Sequence, residues 1–442
     1  MDILGKAFEL LNKHPLCDHC LGRQFALLGY NLENNVRGQA LKVSMTLQAT
    51  DLAKEGSARG VKQLKTLATN GFSREAMETL KHLKRRLSKA SASKCFLCEG
   101  AFDHIEELTE KSLAAMAGYE FTTFLVGIEA PVEVVEREDE LKAAFNLGYG
   151  ENIKHEFGRL FGKAVGSRTG KEAEYLTPDL VVVINPFTNN IRLQVNPLFV
   201  SGRYRKLVRT IPQSKWFCSN CRGKGCKKCG GTGKLYPESV EELSSKPILE
   251  ASQGEKTAFH ASGREDIDAR MLGTGRPFVI EISKPRKRFL DLKVIEAEIN
   301  ATAIGKVQVS RLRLGTKDLV RRLKKGEGSQ KKYRLLAEFE KDVSDQDFHK
   351  LEEELSGTLI KQQTPLRVLH RRADLTREKY IYKLKVKRVS PKKALMEIHC
   401  QGGLYVKELV SGDDGRTNPN VSDLLGNRAK TLKLDVLKVM VS

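Results

Sequence analysis

Eight of the nine cysteines fall into four Cys-x-x-Cys pairs: Cys17/Cys20, Cys95/Cys98, Cys218/Cys221 and Cys226/Cys229. A two-residue gap lets two thiolates turn toward one point, as a tetrahedral zinc ion with bonds of about 2.3 Å requires. The last two pairs make one Cys-x2-Cys-x4-Cys-x2-Cys run, with glycines at 223, 225, 230, 231 and 233. Glycines there let the backbone form tight knuckles whose amide N–H groups face sulfur. The run predicts one structural zinc site. The first two pairs, each followed by a Leu-Gly or Glu-Gly step (Leu21-Gly22 and Glu99-Gly100), predict a second that clips a long insertion at its base. One or two ions are therefore expected. Cys400 lies in an apolar stretch and reads as a packed core residue.

A second segment with chemical potential is Ser262-Gly-Arg-Glu-Asp-Ile-Asp-Ala-Arg-Met-Leu-Gly273, set between two predicted strands. It puts Asp266 on a loop with Arg264 and Arg270 to either side, and nearby cations favour a carboxylate's charged form. Such a carboxylate can serve as nucleophile or base without a cofactor. Other catalytic signatures are missing. His155-Glu156 is followed four residues after the histidine by Arg159, not by the second histidine of a zinc protease. Gly231-Thr-Gly-Lys234 lacks the phosphate-loop spacing, and Gly273-Thr-Gly275 lacks the third glycine of a dinucleotide fingerprint. ATPases and dehydrogenases are disfavoured, and no cofactor is expected for catalysis.

These residues need a scaffold, and the composition allows a large one. The chain has 442 residues, 40% hydrophobic and 30% charged, which predicts a folded protein of two to four domains. Its 76 Lys+Arg against 55 Asp+Glu leave a net charge of +21, for which nucleic acid is the first candidate partner. No apolar run approaches the ~18 residues of a membrane span, and the first residues do not read as a signal peptide. A cytoplasmic protein without a membrane partner is expected.

Three regions are predicted. Residues 1–100 read as helical and zinc-clipped, with a helix capped by Ser73 running through Met77, Leu80, Leu83 and Leu87. Residues 101–248 alternate helix and strand: helices at Leu108–Ala117 and Asn152–Val165, a strand at Glu120–Ile128, and a hairpin joining Leu180–Ile184 to Ile191–Val195. This region also holds the basic Gly202–Arg209 stretch and the Cys218–Cys229 knuckle, with a boundary near the serines of 244–252. Residues 249–442 carry strand candidates at Lys256–Ala261, Pro277–Ile282, Lys306–Leu312, Lys332–Glu338, Tyr380–Val389 and Leu395–His399, with helices at Val294–Ala303, Thr316–Lys324 and Asp345–Leu355. In the Tyr380–Arg388 run, Tyr380, Tyr382, Leu384 and Val386 should share one face and Lys383, Lys385 and Lys387 the other. The fold class is α+β.

Gly263-Arg264-Glu265-Asp266 resembles the Gly-Arg-x-Asp signature of pseudouridine synthases. Lys332-Tyr333 opens a strand as the family's Lys-Tyr motif does, and Gly403-Leu404-Tyr405-Val406-Lys407-Glu408-Leu409 resembles its third motif. With both Cys17/Cys95 pairs and the Gly412–Asn420 segment, the likeness narrows to the archaeal branch of the tenth pseudouridine synthase family. It spans nearly the whole chain. The resemblance implies a C-terminal catalytic domain with a mixed or antiparallel sheet and an N-terminal α/β accessory domain of THUMP type with zinc knuckles. It implies Asp266 as the catalytic residue, acting on uridine 54 or 55, or both, of the T-loop of tRNA. Tyr333 would stack on the target base. Tyr405, Lys407, Leu409, Arg264 and Arg270 would complete the substrate-binding set, with Lys407 as charge partner of Asp266 and Leu409 as an apolar wall. Lys407 and Leu404 stand where many relatives have Arg and Thr. The implied partner is tRNA, held at T-loop and elbow by a monomer, and the basic clusters Arg203–Arg209, Lys284–Arg288 and His370–Arg372 would grip phosphates.

Two other classes use the same features. A non-catalytic tRNA maturation factor or RNA chaperone would need the basic surfaces but not Asp266. A zinc-finger co-chaperone is suggested by the Cys-x-x-Cys-x-Gly-x-Gly module of Cys218–Gly225 alone.

Overall fold

The computed structural model describes residues 2–87, 94–325 and 329–440, apart from the side chain of Arg371. The chain divides into two compact units, Met1–Asn196 and Pro197–Ser442.

The first unit opens with helices because its sequence caps them. Asp2 accepts the Gly5 N–H at 2.9 Å and starts the helix Ile3–Lys13, and Ser73 accepts the Ala76 N–H at 3.2 Å and starts Arg74–His82. The latter stops at His82, short of the predicted Leu87, because Lys84 takes a left-handed φ of 53°. Between the first two cysteine pairs lie the helices Asn34–Lys54, Ala58–Thr69 and Arg74–His82, the helical insertion that the sequence predicts. Gly22 and Gly38 are required where the helix Asp18–Gly22 meets Asn34–Lys54. A Cβ on Gly22 would sit 1.8 Å from the Asn34 carbonyl oxygen, and one on Gly38 2.0 Å from that of Asp18. The two backbones therefore touch directly, which seats the first knuckle.

The rest of this unit is a four-stranded sheet built from β1 (Thr123–Ile128), β2 (Glu172–Ala173), β3 (Leu180–Asn185) and β4 (Asn190–Val195), in the order β2-β1-β3-β4. β1 runs parallel to both β2 and β3, and β3–β4 is the predicted hairpin. Leu180, Val182 and Ile184 alternate into a core shared with Leu108 of the helix Ile105–Met116 and with Phe157, Phe161 and Val165 of Ile153–Thr169.

The second unit is a ten-stranded sheet. Its strands are β5 (Leu198–Lys206), β6 (Lys256–Ala261), β7 (Ala269–Ser283), β8 (Val307–Leu314), β9 (Gln330–Phe339), β10 (Thr358–Gln363), β11 (Thr376–Ser390), β12 (Lys393–Gln401), β13 (Thr417–Asn418) and β14 (Ala429–Met440). The order is β13-β10-β11-β12-β9-β14-β7-β5-β8, with β6 on the far part of β7. Among the described residues of this sheet, only β14–β7 is a parallel pair. Two large apolar cores lie in the unit, beside a small third cluster of Val279, Val320 and Leu323. One gathers residues of β9–β12 with the helices Asp345–Leu355 and Val406–Ser411, the other those of β5–β8 with Val240–Ser252 and Leu292–Thr302. Tyr333 of β9 packs against both.

Three expectations change here. β5 pairs with β7 and β8, so the basic stretch and the Cys218–Cys229 knuckle belong with the C-terminal sheet, and the chain divides at 196/197 and not at 248. The serines read as a boundary lie in the helix Val240–Ser252, where Ser244, Ser245 and Ser252 are buried. In β11 a bulge between Ile381 and Lys383 shifts the alternation. Ile381 and Leu384 are buried while Tyr380 and Tyr382 are exposed, so the tyrosines leave the face they were assigned with Leu384.

Candidate active site

The loop between β6 and β7 carries Asp266 and rests on a buried polar scaffold. Glu265 points inward, where its carboxylate accepts the Tyr204 hydroxyl at 2.9 Å and pairs with Arg276 Nε at 2.8 Å. Arg276 also donates to the Ser262 carbonyl at 2.6 Å. The Gln213 amide donates to the Gly263 carbonyl at 3.0 Å and to the Tyr204 hydroxyl at 2.7 Å. Lys206 is fully buried, and its ammonium donates at 3.0 Å to the carbonyls of Ile211, Asp266 and Ile267. Burial pulls its pKa down to about 8, and pushes the Tyr204 phenol well up, with help from Glu265. Both ends of the loop are thus tied to β5 and β7, which leaves Asp266 little freedom.

The Asp266 carboxylate faces a cavity of about 660 Å³, within the ~300–1,000 Å³ usual for small-ligand sites. Arg367 Nη1 lies 3.1 Å and Lys407 Nζ 3.4 Å from the same Asp266 oxygen. Lys407 is also 2.7 and 2.8 Å from the two Asp268 oxygens. Burial works against the Asp268 charge, but the Lys407 hydrogen bond and charge outweigh it and hold the carboxyl below its ordinary value. Arg367 is fixed in turn by buried Glu408, with Nε to Oε1 at 2.6 Å. Tyr405 precedes the helix Val406–Ser411; its backbone is bracketed by the Gln362 side chain at 2.8 and 3.0 Å, and its hydroxyl accepts from Arg372 at 3.0 Å. Tyr333 lines the cavity half-buried, and burial followed by the neighbouring Cys400 pushes its phenol up.

Asp266, Tyr333, Tyr405, Lys407 and Arg264 therefore share one cavity. Arg270 and Leu409 lie outside its lining. Parallel pairing of β14 with β7 sets Arg270 opposite Asp435, and the guanidinium takes that carboxylate at 2.9 and 3.0 Å, so it does not flank Asp266. Leu409 is wholly buried in the core, and the apolar lining comes instead from Val368, Leu404, Val406, Leu434 and Val436. The Arg264 guanidinium lies 5.0 Å from the centroid of the Trp216 ring. Arg367, which sequence reasoning missed, is in the turn Leu366–Arg371 with no motif around it. Arg276, Lys331, Arg377 and Lys379 also line the cavity and carried no local signal.

The Arg203–Arg209 stretch is engaged within the protein. Arg203 donates to the carbonyls of Thr274, Gly275 and Val439 at 2.7, 2.8 and 3.0 Å, and Arg209 reaches the Asp268 carbonyl at 3.0 Å and Asp435 at 2.5 Å. Of the His370–Arg372 cluster, Arg372 reaches the cavity and the Arg371 side chain is outside the described residues.

The cysteines gather as two sets, Cys17/Cys20/Cys95/Cys98 and Cys218/Cys221/Cys226/Cys229, with all four sulfurs of each within 4.8 Å of one another. A tetrahedral zinc centre with four thiolate ligands places sulfurs about 3.8 Å apart. Observed separations are 3.6 Å for Cys17–Cys98 and 3.9, 3.8 and 3.7 Å for Cys218–Cys226, Cys221–Cys229 and Cys226–Cys229. Backbone N–H groups of Gly225 and Gly233 approach the Cys221 and Cys229 sulfurs at 3.2 Å. Either set could hold a zinc ion. Among the described residues, no helix is long and apolar enough to cross a membrane.

Comparison with known proteins agrees with this geometry. A family model described as "Pus10, C-terminal" matches residues 199–440, and one described as "Pus10 THUMP domain, archaeal" matches 108–185. The chain is 45% identical to the tRNA pseudouridine synthase Pus10 of Methanocaldococcus jannaschii, covering 99% of this chain and 94% of that protein. It is 38% identical to the protein of the same name from Methanothrix thermoacetophila, again over 99% and 94%. A solved Cbf5-Nop10-Gar1 complex matches 54% of this chain and 48% of that one at 15% identity, with a TM-score of 0.30, and the assignment does not rest on it. The two family models and the full-length relatives agree: the chain belongs to the Pus10 family of tRNA pseudouridine synthases, which are isomerases.

Proposed function

We propose that the protein converts uridine 54, uridine 55 or both in the T-loop of tRNA to pseudouridine, with Asp266 as the catalytic residue. The observation that carries this reading is the Asp266 carboxylate, facing a cavity with room for a flipped nucleotide and with Arg367 and Lys407 on one of its oxygens. A stacked uridine is flipped into that cavity before it can react. Asp266 assists cleavage of the N1–C1′ bond, the freed uracil rotates, and C5 bonds to C1′. The C5 proton leaves and N1 gains one, so the reaction is redox-neutral and needs no donor. Tyr333 stacks on the base, and its raised phenol stays protonated at neutral pH.

Backbone grip has its own surface. A second cavity of about 370 Å³ shares Gly263, Lys331, Lys379 and Gly403 with the first, and Lys324 and Lys325 line it. Cations there suit the phosphates on either side of a flipped nucleotide. The N-terminal sheet, whose strands β1, β2 and β3 fall within the residues matched by the THUMP model, would add further RNA contacts. The two four-cysteine sets would hold structural zinc, and the compartment would be the cytoplasm.

The test is carbodiimide mapping of transcribed tRNA treated with wild-type protein and with Asp266→Ala. Product at 54 or 55 with the wild type and none with the variant, at tRNA affinity within about 3-fold, is expected. Product formed equally by Asp266→Ala would refute the role of Asp266. A wild type that refolds tRNA without modifying it would establish the maturation-factor reading instead.

A further inference from the structure

Trp216 and Tyr236, the aromatic residues at the two ends of the Cys218–Cys229 knuckle, line the cavity that holds Asp266. The knuckle's chain ends are clamped together. Cys218 N–H donates to the Gly233 carbonyl at 2.8 Å, Leu235 N–H to the Trp216 carbonyl at 2.9 Å, and Phe217 and Lys234 form an antiparallel bridge. Beyond the clamp sit the four sulfurs. On the cavity side the clamp brings Trp216 and Tyr236 edge to face, with ring centroids 5.7 Å apart and planes at 79°. Arg264, two residues before Asp266, lies with its guanidinium 5.0 Å from the Trp216 centroid. One module therefore joins a metal-type cysteine set to an aromatic pair, and the pair to the loop bearing the reactive carboxylate.

We infer that this knuckle is a nucleobase-stacking element: it presents Trp216, backed by Tyr236 and Arg264, to a base adjoining the uridine that enters the cavity. The inference rests on the tRNA-modifying reading above and deepens it. Flipping one nucleotide removes a stacking neighbour from the next, and an indole beside the cavity restores it. The aromatic face accepts any base, so the module contributes affinity and placement while the cavity selects uracil. A cysteine set remote from the chemistry would stabilise the fold without touching substrate. Here its two flanking rings are part of the cavity wall.

Trp216 is the single tryptophan of the chain, so tryptophan emission reports on this ring alone. The experiment titrates full-length, zinc-loaded protein with unmodified tRNA transcript, in the wild type and in Asp266→Asn, which separates binding from turnover. Quenching that saturates with tRNA binding in both proteins is expected. Trp216→Ala should raise KM roughly 10–100-fold, as loss of one stacked base does, with a smaller effect on kcat, and Trp216→Phe should recover most of it. Unchanged emission at tRNA concentrations where filter binding is complete would overturn the inference whatever the variants do. So would a folded Trp216→Ala with wild-type KM. Failure of the wild type to form pseudouridine would instead strike the assigned reaction, which the emission titration does not measure.

Discussion

At Asp266 the partners that matter were chosen by distance and not by neighbourhood in the chain. Arg367 bridges Asp266 and Glu408 with different nitrogens, a two-handed contact that a lysine cannot copy. Arg367→Ala should lower kcat about 10²-fold by loosening the carboxylate, and it should also lower the melting temperature, because the buried Glu408 carboxylate loses its cation. Arg367→Lys should recover only part of the rate. Equal kcat in all three proteins would remove Arg367 from the mechanism. Lys331 offers a pH test. Burial lowers its pKa to about 8, against about 10.4 for a free lysine. It is cationic below about pH 8 and neutral above, where an exposed lysine keeps its charge. The folding penalty for charging it is therefore full below about pH 8 and gone above about 10.4. KM for tRNA should rise as pH passes about 8, and Lys331→Arg, which stays charged, should lack that step. A parallel rise in both proteins would exclude Lys331 as its source.

Among elements, the loop Ser262–Asp268 shows how a short segment is made rigid. Glu265, adjacent to Asp266, forms the centre of a buried group with Tyr204 and Arg276. Removing one member of a buried ion pair costs about 3–5 kcal/mol because the other charge is left uncompensated. Glu265→Ala should destabilise the protein by about that amount in urea unfolding and abolish product although Asp266 is intact. A variant with wild-type stability and activity would show that the scaffold does not matter. Sequence reading found the loop and most strands, with Lys256–Ala261 and Asp345–Leu355 matched at both ends. It found β7 only in part. Gly273 and Gly275 break the pattern because a Cβ on Gly273 would meet the Leu437 carbonyl oxygen at 2.1 Å, so what resembled a weak cofactor turn is a strand in close contact with its neighbour. β14, which pairs in parallel with β7, was not recognised, because two register shifts against β9 break its alternation.

For the molecule as a whole, each of the two units contains one cysteine set. Elemental analysis should find up to two zinc ions per chain. Cys98→Ser should lower the content by one and reduce the melting temperature of the first unit, with kcat on tRNA much less affected, since its cysteines belong to the unit without Asp266. A stable, metal-free wild type would reject structural zinc. The positive charge of the composition serves two purposes. Arg203, Lys206 and Arg209 bind backbone carbonyls or Asp435, whereas Lys331, Arg372, Arg377 and Lys379 line the cavity.

The sequence by itself determined the motif order, the carboxylate, the cysteine spacing and the α+β class, because each rests on residue type and local periodicity. Tertiary structure alone decided which cations meet Asp266, where the chain divides, and which face Tyr380 and Tyr382 occupy. The physical reason is the same in each case. Strand register is set by pairing between distant segments, and one bulge or one parallel pair reassigns a row of side chains. Arg270 lies next to the loop in sequence but opposite Asp435 in the sheet; Arg367 is remote in sequence but 3.1 Å from Asp266.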